Sequence, residues 1–148
     1  MSRIASMLLA GAALAAFGGC TILPVYHPAA GVATAPVQVN ELARGNKTLC
    51  LDGQLYRVEP DAKGNVNLPL DQRATLRSSF AWASGNMNYS CNPGTSLVPR
   101  AGSAYTMVFE IEPENHSCSF RPYRQTTANR IGLEFEPTIG MAQSCAKR

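Results

Sequence analysis

The chain has 148 residues, a formal net charge of +3 at pH 7 and thirteen Lys and Arg residues that are scattered along it. A nucleic-acid-binding domain concentrates such residues on one face, so the composition argues against that class. The length predicts one domain with terminal extensions.

The first nineteen residues have the pattern of a secretory signal peptide. Arg3 precedes an apolar run from Ile4 to Phe17 that only Ser6 interrupts, and Gly18-Gly19 follow. This run is shorter than the roughly 20 residues that a membrane-spanning helix needs. Two interpretations of cleavage remain: an ordinary signal peptidase site at Ala13-Leu14-Ala15, or cleavage directly before Cys20.

Phe17-Gly18-Gly19-Cys20 resembles the lipobox of bacterial lipoproteins. The resemblance implies that Cys20 carries lipid, becomes the first mature residue and anchors the protein. It also implies transfer to the outer membrane, because Thr21 stands where an aspartate favours the inner membrane. The cysteine count favours this interpretation, since a lipidated Cys20 leaves four of the five cysteines, an even number, to form disulfides.

Residues 20–45 are predicted to be the lipidated cysteine and a Pro/Ala-rich tether. Pro24, Pro28 and Pro36 each remove a backbone donor, and no charged residue occurs before Glu41. The composition is typical of an extended, disordered linker with polyproline character. His27 within it is expected to be solvated.

Residues 46–148 are predicted to form an all-β domain, because their apolar residues alternate with polar ones. We expect an antiparallel sandwich of about seven short strands, of the immunoglobulin- or transthyretin-like kind. Pro69 and Pro122 indicate edge strands. The alternating sets are Leu76-Ser78-Phe80-Trp82, Tyr105-Met107-Phe109-Ile111 and Ile131-Leu133-Phe135.

A register is also predicted between the strand that Cys118 opens and the final strand. Pairing Phe120 with Phe135 places Arg121 opposite Glu134 on the solvated face.

The remaining cysteines, Cys50, Cys91, Cys118 and Cys145, are predicted to form two disulfides out of three possible connectivities. We expect Cys118–Cys145 and Cys50–Cys91, because Cys118 opens the strand that pairs with the final one and Cys145 follows that strand. No Cys-x-x-Cys pair suggests zinc, so no metal is predicted.

The sequence offers no catalytic motif, and we predict no catalytic residue, no cofactor and no enzyme activity. His116 is expected in a tight turn, where the neighbouring Ser117 points elsewhere in a strand and gives it no nucleophile to activate, and neither His116 nor His27 belongs to a metal motif. The carboxylate pairs Glu110/Glu112 and Glu134/Glu136 are expected on polar strand faces. Arg121, Arg124 and Arg130 come closest to a basic patch for an acidic glycan or lipid headgroup, but solvation is the favoured interpretation.

Pro99-Arg100-Ala101-Gly102-Ser103-Ala104-Tyr105, followed by Cys118, resembles a segment of small bacterial lipoproteins of unassigned function. The resemblance implies a sandwich domain and no particular activity. We therefore expect a periplasmic lipoprotein, anchored to the outer membrane, that acts as a non-enzymatic accessory or binding module for a protein partner in the envelope. The alternative is an inhibitor or immunity protein against a toxin or hydrolase, with Ala83–Ser90 as its binding loop. Trp82 is predicted to lie in the core of the sandwich.

Overall fold

A computed structural model describes residues 22–39, 45–112 and 117–145 and places them in two β-sheets packed as a sandwich. The predicted all-β sandwich is confirmed, with eleven strands in these ranges instead of about seven. No helix in the described ranges is long and apolar enough to cross a membrane. The strands are β1 (Thr34–Val39), β2 (Asn46–Leu51), β3 (Gln54–Arg57), β4 (Asn65–Pro69), β5 (Ala74–Ser84), β6 (Met87–Cys91), β7 (Gly94–Leu97), β8 (Tyr105–Glu112), β9 (Ser117–Gln125), β10 (Leu133–Phe135) and β11 (Gly140–Met141).

The two sheets are largely antiparallel. The first has the order β10-β9-β8-β1-β4, and the second has the order β11-β7-β5-β2-β3, with β6 paired to the outer half of β5. One neighbouring pair is parallel: β1 runs alongside β8 with Val37 opposite Tyr105. This parallel pair joins an N-terminal segment to a strand nearly seventy positions later, a contact that no hairpin rule predicts.

The core lies between the inner faces of the sheets, where the predicted alternation holds. Leu76, Tyr105 and Met107 are buried, whereas Thr106 and Val108, which alternate with the last two on β8, are partly exposed. Each large apolar side chain removed from water contributes about 1.5–3 kcal/mol to folding. The remaining buried apolar residues of this cluster include Val37, Leu49, Leu68, Leu97 and Phe120.

The predicted tether is wrong for residues 22–39. Ala35, Val37 and Val39 are buried, and β1 lies between β4 and β8 in the first sheet. The alternation of these three residues suits a strand, and Pro36 is tolerated because the pairing with β8 begins one residue later, at Val37. Tyr26 is also buried, and its backbone N–H donates to the Arg57 carbonyl at 2.9 Å.

The two prolines predicted to mark edges occupy positions where no strand donor is needed. Pro69 ends β4, which is an edge strand of the first sheet. Pro122 lies inside β9 but beyond the last residue that pairs with β10, Tyr123. Both positions agree with the missing N–H of proline.

The predicted register between the last two strands of the first sheet is wrong by three residues on β9. Phe135 lies opposite Tyr123, and Arg124 instead of Arg121 lies opposite Glu134, with Nε and Oε1 2.6 Å apart. The connecting loop sets this register, because the Thr126 N–H donates to the Gly132 carbonyl and starts the ladder there. As a result Phe135 is 62% exposed, whereas Glu136, predicted on the polar face, is 1% exposed.

The predicted disulfide connectivity is also wrong. The bonds are Cys50–Cys145 and Cys91–Cys118, with Cα atoms 5.6 and 6.3 Å apart. After β10 the chain crosses to the second sheet, where β11 pairs with β7 and the Gln143 N–H donates to Thr75 Oγ1 at 3.3 Å. This crossing carries Cys145 over the outer face of the second sheet to β2, away from Cys118.

Candidate functional site

A hairpin of residues 80–91, which we call the aromatic hairpin, extends beyond the second sheet. The partners of β5 in that sheet end early, since β7 pairs with β5 only as far as Arg77 and β2 only as far as Ser79. From Phe80 to Ser84, β5 pairs with β6 instead. The segment predicted as a loop, Ala83–Ser90, is therefore the end of β5, a turn and most of β6.

The turn at the tip has two residues, Gly85 and Asn86, with Ser84 paired to Met87. Gly85 has φ of 59°, a value that side chains with a Cβ disfavour. A glycine at the first central position is typical of the type II′ turn, whose twist matches that of the two strands. Local sequence thus specifies a tight tip.

Three aromatic rings form a row along one face of this hairpin. Trp82 and Tyr89 lie directly opposite each other, and their rings stack with centroids 5.2 Å apart and planes at 16°. Phe80 stacks on Trp82 at 5.6 Å and 19°. All three side chains are partly exposed, and Trp82 lies outside the buried core cluster in which it was predicted.

Met87 completes the row at the tip. Its side chain is 61% exposed, and its sulfur lies 3.5 Å from the Tyr89 hydroxyl, which donates to it. Stacked aromatic pairs add about 0.5–1.5 kcal/mol beyond their burial, so the row stiffens the hairpin while leaving apolar surface in water.

The base of the aromatic hairpin is fixed to the first sheet by two kinds of contact. The Cys91–Cys118 disulfide joins the end of β6 to β9. Phe80 meets Phe109 edge-to-face at 6.1 Å, and Phe109 in turn contacts Phe120 at 6.4 Å. An aromatic chain therefore runs from the core into the hairpin, whose base is held to the first sheet and whose tip, residues 85–88, is exposed.

The predicted carboxylate pairs have different surroundings. Glu110 and Glu112 lie exposed on β8 and accept hydrogen bonds from Ser119 and Ser117, at 3.4 and 3.2 Å, as expected of a polar face. Glu134 pairs with Arg124. Buried Glu136 accepts from the backbone N–H and the hydroxyl of Thr138, at 2.8 and 2.6 Å, and so shapes the turn between β10 and β11.

The other predicted site residues do not converge. Cys20 and His116 lie outside the described residues, and His27 is exposed. Within the described ranges, no group of three or more His, Cys, Asp or Glu residues could hold a metal ion. Of the three arginines considered as a patch, Arg124 is paired with Glu134, and Arg121 and Arg130 are exposed.

Among the described residues, the pKa values of Tyr26 and Asp61 are shifted, and both side chains lie away from the aromatic hairpin. Burial raises the pKa of Tyr26, with a further contribution from Tyr56, whose ring is 5.5 Å away. The backbone N–H groups of Asn65 and Lys63 lower the pKa of Asp61 by donating to its carboxylate at 2.9 and 2.8 Å. Both shifts belong to structural roles, in the docking of the N-terminal segment and in the turn before β4.

No protein-family model, no curated protein and no solved structure matches this chain. Function therefore has to be inferred from the geometry of the aromatic hairpin. The sequence contained a usable signal for it, since Gly85-Asn86 separates a segment with Phe80 and Trp82 in alternation from one that contains Tyr89.

Proposed function

We propose that this protein is an exported, non-enzymatic binding module of the bacterial cell envelope that engages a protein partner with its aromatic hairpin. The observation that carries the proposal is the stacked pair of Trp82 and Tyr89, partly exposed beside the 61% exposed Met87. Aromatic residues and methionine are enriched in the cores of protein interfaces, where they act as anchors.

The fixed geometry of the hairpin supports this role. Rings that are already stacked on a disulfide-held hairpin lose little conformational freedom on binding, which lowers the entropic cost of association. A tight turn at Gly85 keeps the tip narrow, so a partner can surround it.

Export to an oxidising compartment is supported by the paired cysteines of the sandwich. Cys50, Cys91, Cys118 and Cys145 form two disulfides, so Cys20 is left over as the residue available for lipid. We place the protein at the periplasmic face of the outer membrane, on the resemblance of the segment around Cys20 and Thr21 to bacterial lipoproteins.

This anchor would hold the sandwich close to the bilayer. The Pro24 carbonyl already accepts a hydrogen bond from the Arg57 N–H of β3, at 2.8 Å. Pro24 lies four backbone steps after Cys20, and at about 3.5 Å per step these span at most about 14 Å. The long tether expected from composition is therefore replaced by a short one.

The partner is tested by photo-crosslinking in the native host. A photoreactive residue replaces Met87 in the full-length protein, and a second variant carries it at exposed Asn67 on β4 as a matched control. We expect one defined protein adduct from position 87, lost on adding Trp82→Ala, and no such adduct from position 67. Equal labelling from both positions would refute the proposal.

The anchor is tested separately by mass spectrometry of protein from native membranes. We expect a mature chain that begins at Cys20 and carries acyl groups. A bare thiol or a cystine at Cys20 would overturn the lipoprotein assignment without affecting the hairpin.

A second function, inhibition, is favoured by the narrow tip. A hairpin closed by a two-residue turn can enter the active-site cleft of a toxin or hydrolase. If the crosslinked partner is such an enzyme, adding the purified protein should abolish its activity and Met87→Asp should restore it. Full activity in a stoichiometric complex would reject inhibition and leave the binding module.

A further inference from the structure

The edge of β9 is free over part of its length. β8 pairs with this strand from Ser117 to Arg124, whereas β10 pairs only from Tyr123 to Gln125. Among the described residues, the segment 117–122 therefore has a strand partner on one side only.

Two hydrogen bonds identify which backbone groups point to the free side. The Gln125 N–H donates to the Ala104 carbonyl at 2.8 Å, so odd-numbered residues of β9 bond towards β8. The Thr126 N–H donates to the Gly132 carbonyl at 2.9 Å, so even-numbered residues bond towards β10. Beyond the end of β10, Cys118 and Phe120 thus direct an N–H and a carbonyl outward, and Pro122 directs a carbonyl alone.

A groove of about 490 Å³ runs beside this edge. One wall is residues 118–121 of β9, and the other is formed by Pro93–Thr95 and by Ile139–Met141. Phe120 provides apolar lining, and Met141, at 90% exposure, stands at the rim. The open backbone groups therefore border a groove that an extended chain can enter.

The charged side chains that line the groove or lie directly behind it are arginines. Exposed Arg121 lines it and makes no ion pair within the described part of the chain. The Arg73 guanidinium lies behind Gly140 and donates to Ser96 Oγ and the Thr138 carbonyl, at 2.9 and 3.1 Å. No acidic residue is among the described residues that line the groove.

We infer that this edge binds an extended, acidic segment of a partner protein as an added β-strand. The outward groups of Cys118 and Phe120 supply the main-chain hydrogen bonds, the groove accepts alternate side chains, and Arg121 selects a carboxylate. A second copy of this chain fits less well, because antiparallel pairing about Phe120 brings two Arg121 side chains to diagonal positions on one face. The surface is distinct from the aromatic rings and extends the proposed function to a second contact.

The test uses immobilised full-length protein and three pools of ten-residue peptides with Val, Ile or Thr at alternate positions. The first pool has Asp or Glu at the other positions, the second has Lys or Arg there, and the third is acidic with Pro interspersed to prevent strand pairing. We expect capture from the first pool alone. Hydrogen exchange should then show slowed exchange in segment 117–122 when a captured peptide is bound.

Variants assign the binding to the groove. Arg121→Glu and Met141→Asp should each weaken the captured peptide at least about 10-fold, equivalent to about 1.4 kcal/mol. Arg130→Glu and Ile131→Asp, exposed changes of the same type on the β9–β10 loop, should change the affinity less than about 2-fold.

Three outcomes would overturn the inference. Capture from the basic pool, or none from the acidic pool, would reject the acidic strand. Equal weakening by the loop controls would reject the site. A second copy of the chain would be identified as the occupant if the protein self-associated, if Arg121→Asp strengthened this association, and if the peptide did not displace it. Each result is independent of crosslinking at position 87, so the two proposals fail separately.

Discussion

The burial of two segments of this protein is the opposite of what their composition predicts. Residues 34–39, which follow a proline-rich stretch and contain Pro36, form a strand between two others with Val37 in the core. Residues 80–91 contain Phe80, Trp82 and Tyr89, yet their rings remain partly exposed beyond the sheet. Burial here depends on which strands lie alongside a segment more than on how apolar it is.

The physical reason is the number of neighbours. β1 has strand partners on both sides and a facing sheet, whereas the outer half of β5 has β6 as its strand partner. A modestly apolar segment is buried completely in the first environment, and strongly apolar side chains keep solvent contact in the second.

The largest effect is expected from a charge in the N-terminal strand. Val37→Asp places a carboxylate between two sheets without a partner and should destabilise the protein by on the order of 5 kcal/mol or more. Chemical denaturation followed by circular dichroism measures it. The control is Gln38→Asp, its exposed neighbour, which should change stability by less than about 0.5 kcal/mol. Equal, small effects would restore the tether interpretation.

Loss of the two disulfides should differ both in its cost in stability and in the region of the molecule that it affects. Loss of Cys50–Cys145, which closes 95 residues, should cost about 4.7 kcal/mol, and loss of Cys91–Cys118, which closes 27, about 3.6 kcal/mol in the chain-entropy treatment. Paired Cys→Ser variants and denaturation measure these costs.

Hydrogen exchange provides the spatial part of that test. Removing Cys91–Cys118 should speed exchange in residues 80–91, because the base of the hairpin loses its covalent attachment. Removing Cys50–Cys145 should instead speed exchange in β11 and the tail that follows it. Identical exchange changes in the two variants would contradict the role assigned to the hairpin base.

A smaller effect is expected at the tip. Gly85→Ala forces a side chain into positive φ and should cost about 1 kcal/mol, felt mainly as faster exchange within the hairpin. Space is not the cause, because no atom from elsewhere in the described part of the chain lies within 4 Å of the added Cβ. Asn86→Ala at the adjacent position is the control and should be close to neutral. A reversed order of the two effects would argue against the type II′ turn.

The smallest effect concerns pH and the docking of Tyr26. Burial raises the pKa of Tyr26, so folding favours its neutral form. The contribution of Tyr26 to folding stability is fully present below its pKa in the unfolded chain, about 10, and is lost as the pH rises through its higher pKa in the folded protein. As the pH rises above about 10, the stability of the Tyr26→Phe variant should therefore fall less than that of the wild type. Denaturation at a series of pH values measures this difference. Parallel curves for the two proteins would show that this ring is not docked.

Local sequence determined the strands whose alternation is uninterrupted and the turns between them. Tyr105 and Met107 on one face of β8, the edge proline at Pro69 and an all-β sandwich follow from patterns within a few residues. The presence of two disulfides among four cysteines also followed from counting. These properties depend on neighbours in the chain.

Tertiary structure alone decided which distant segments became partners. The central place of β1, the pairing of Cys50 with Cys145 and the burial of Glu136 all require segments far apart in sequence to meet. The same holds for the candidate site, since a Gly85-Asn86 turn predicts a hairpin but not that β2 and β7 end before Phe80. Pairing between distant strands is selected by the whole set of sheet and core contacts, which a local pattern does not contain.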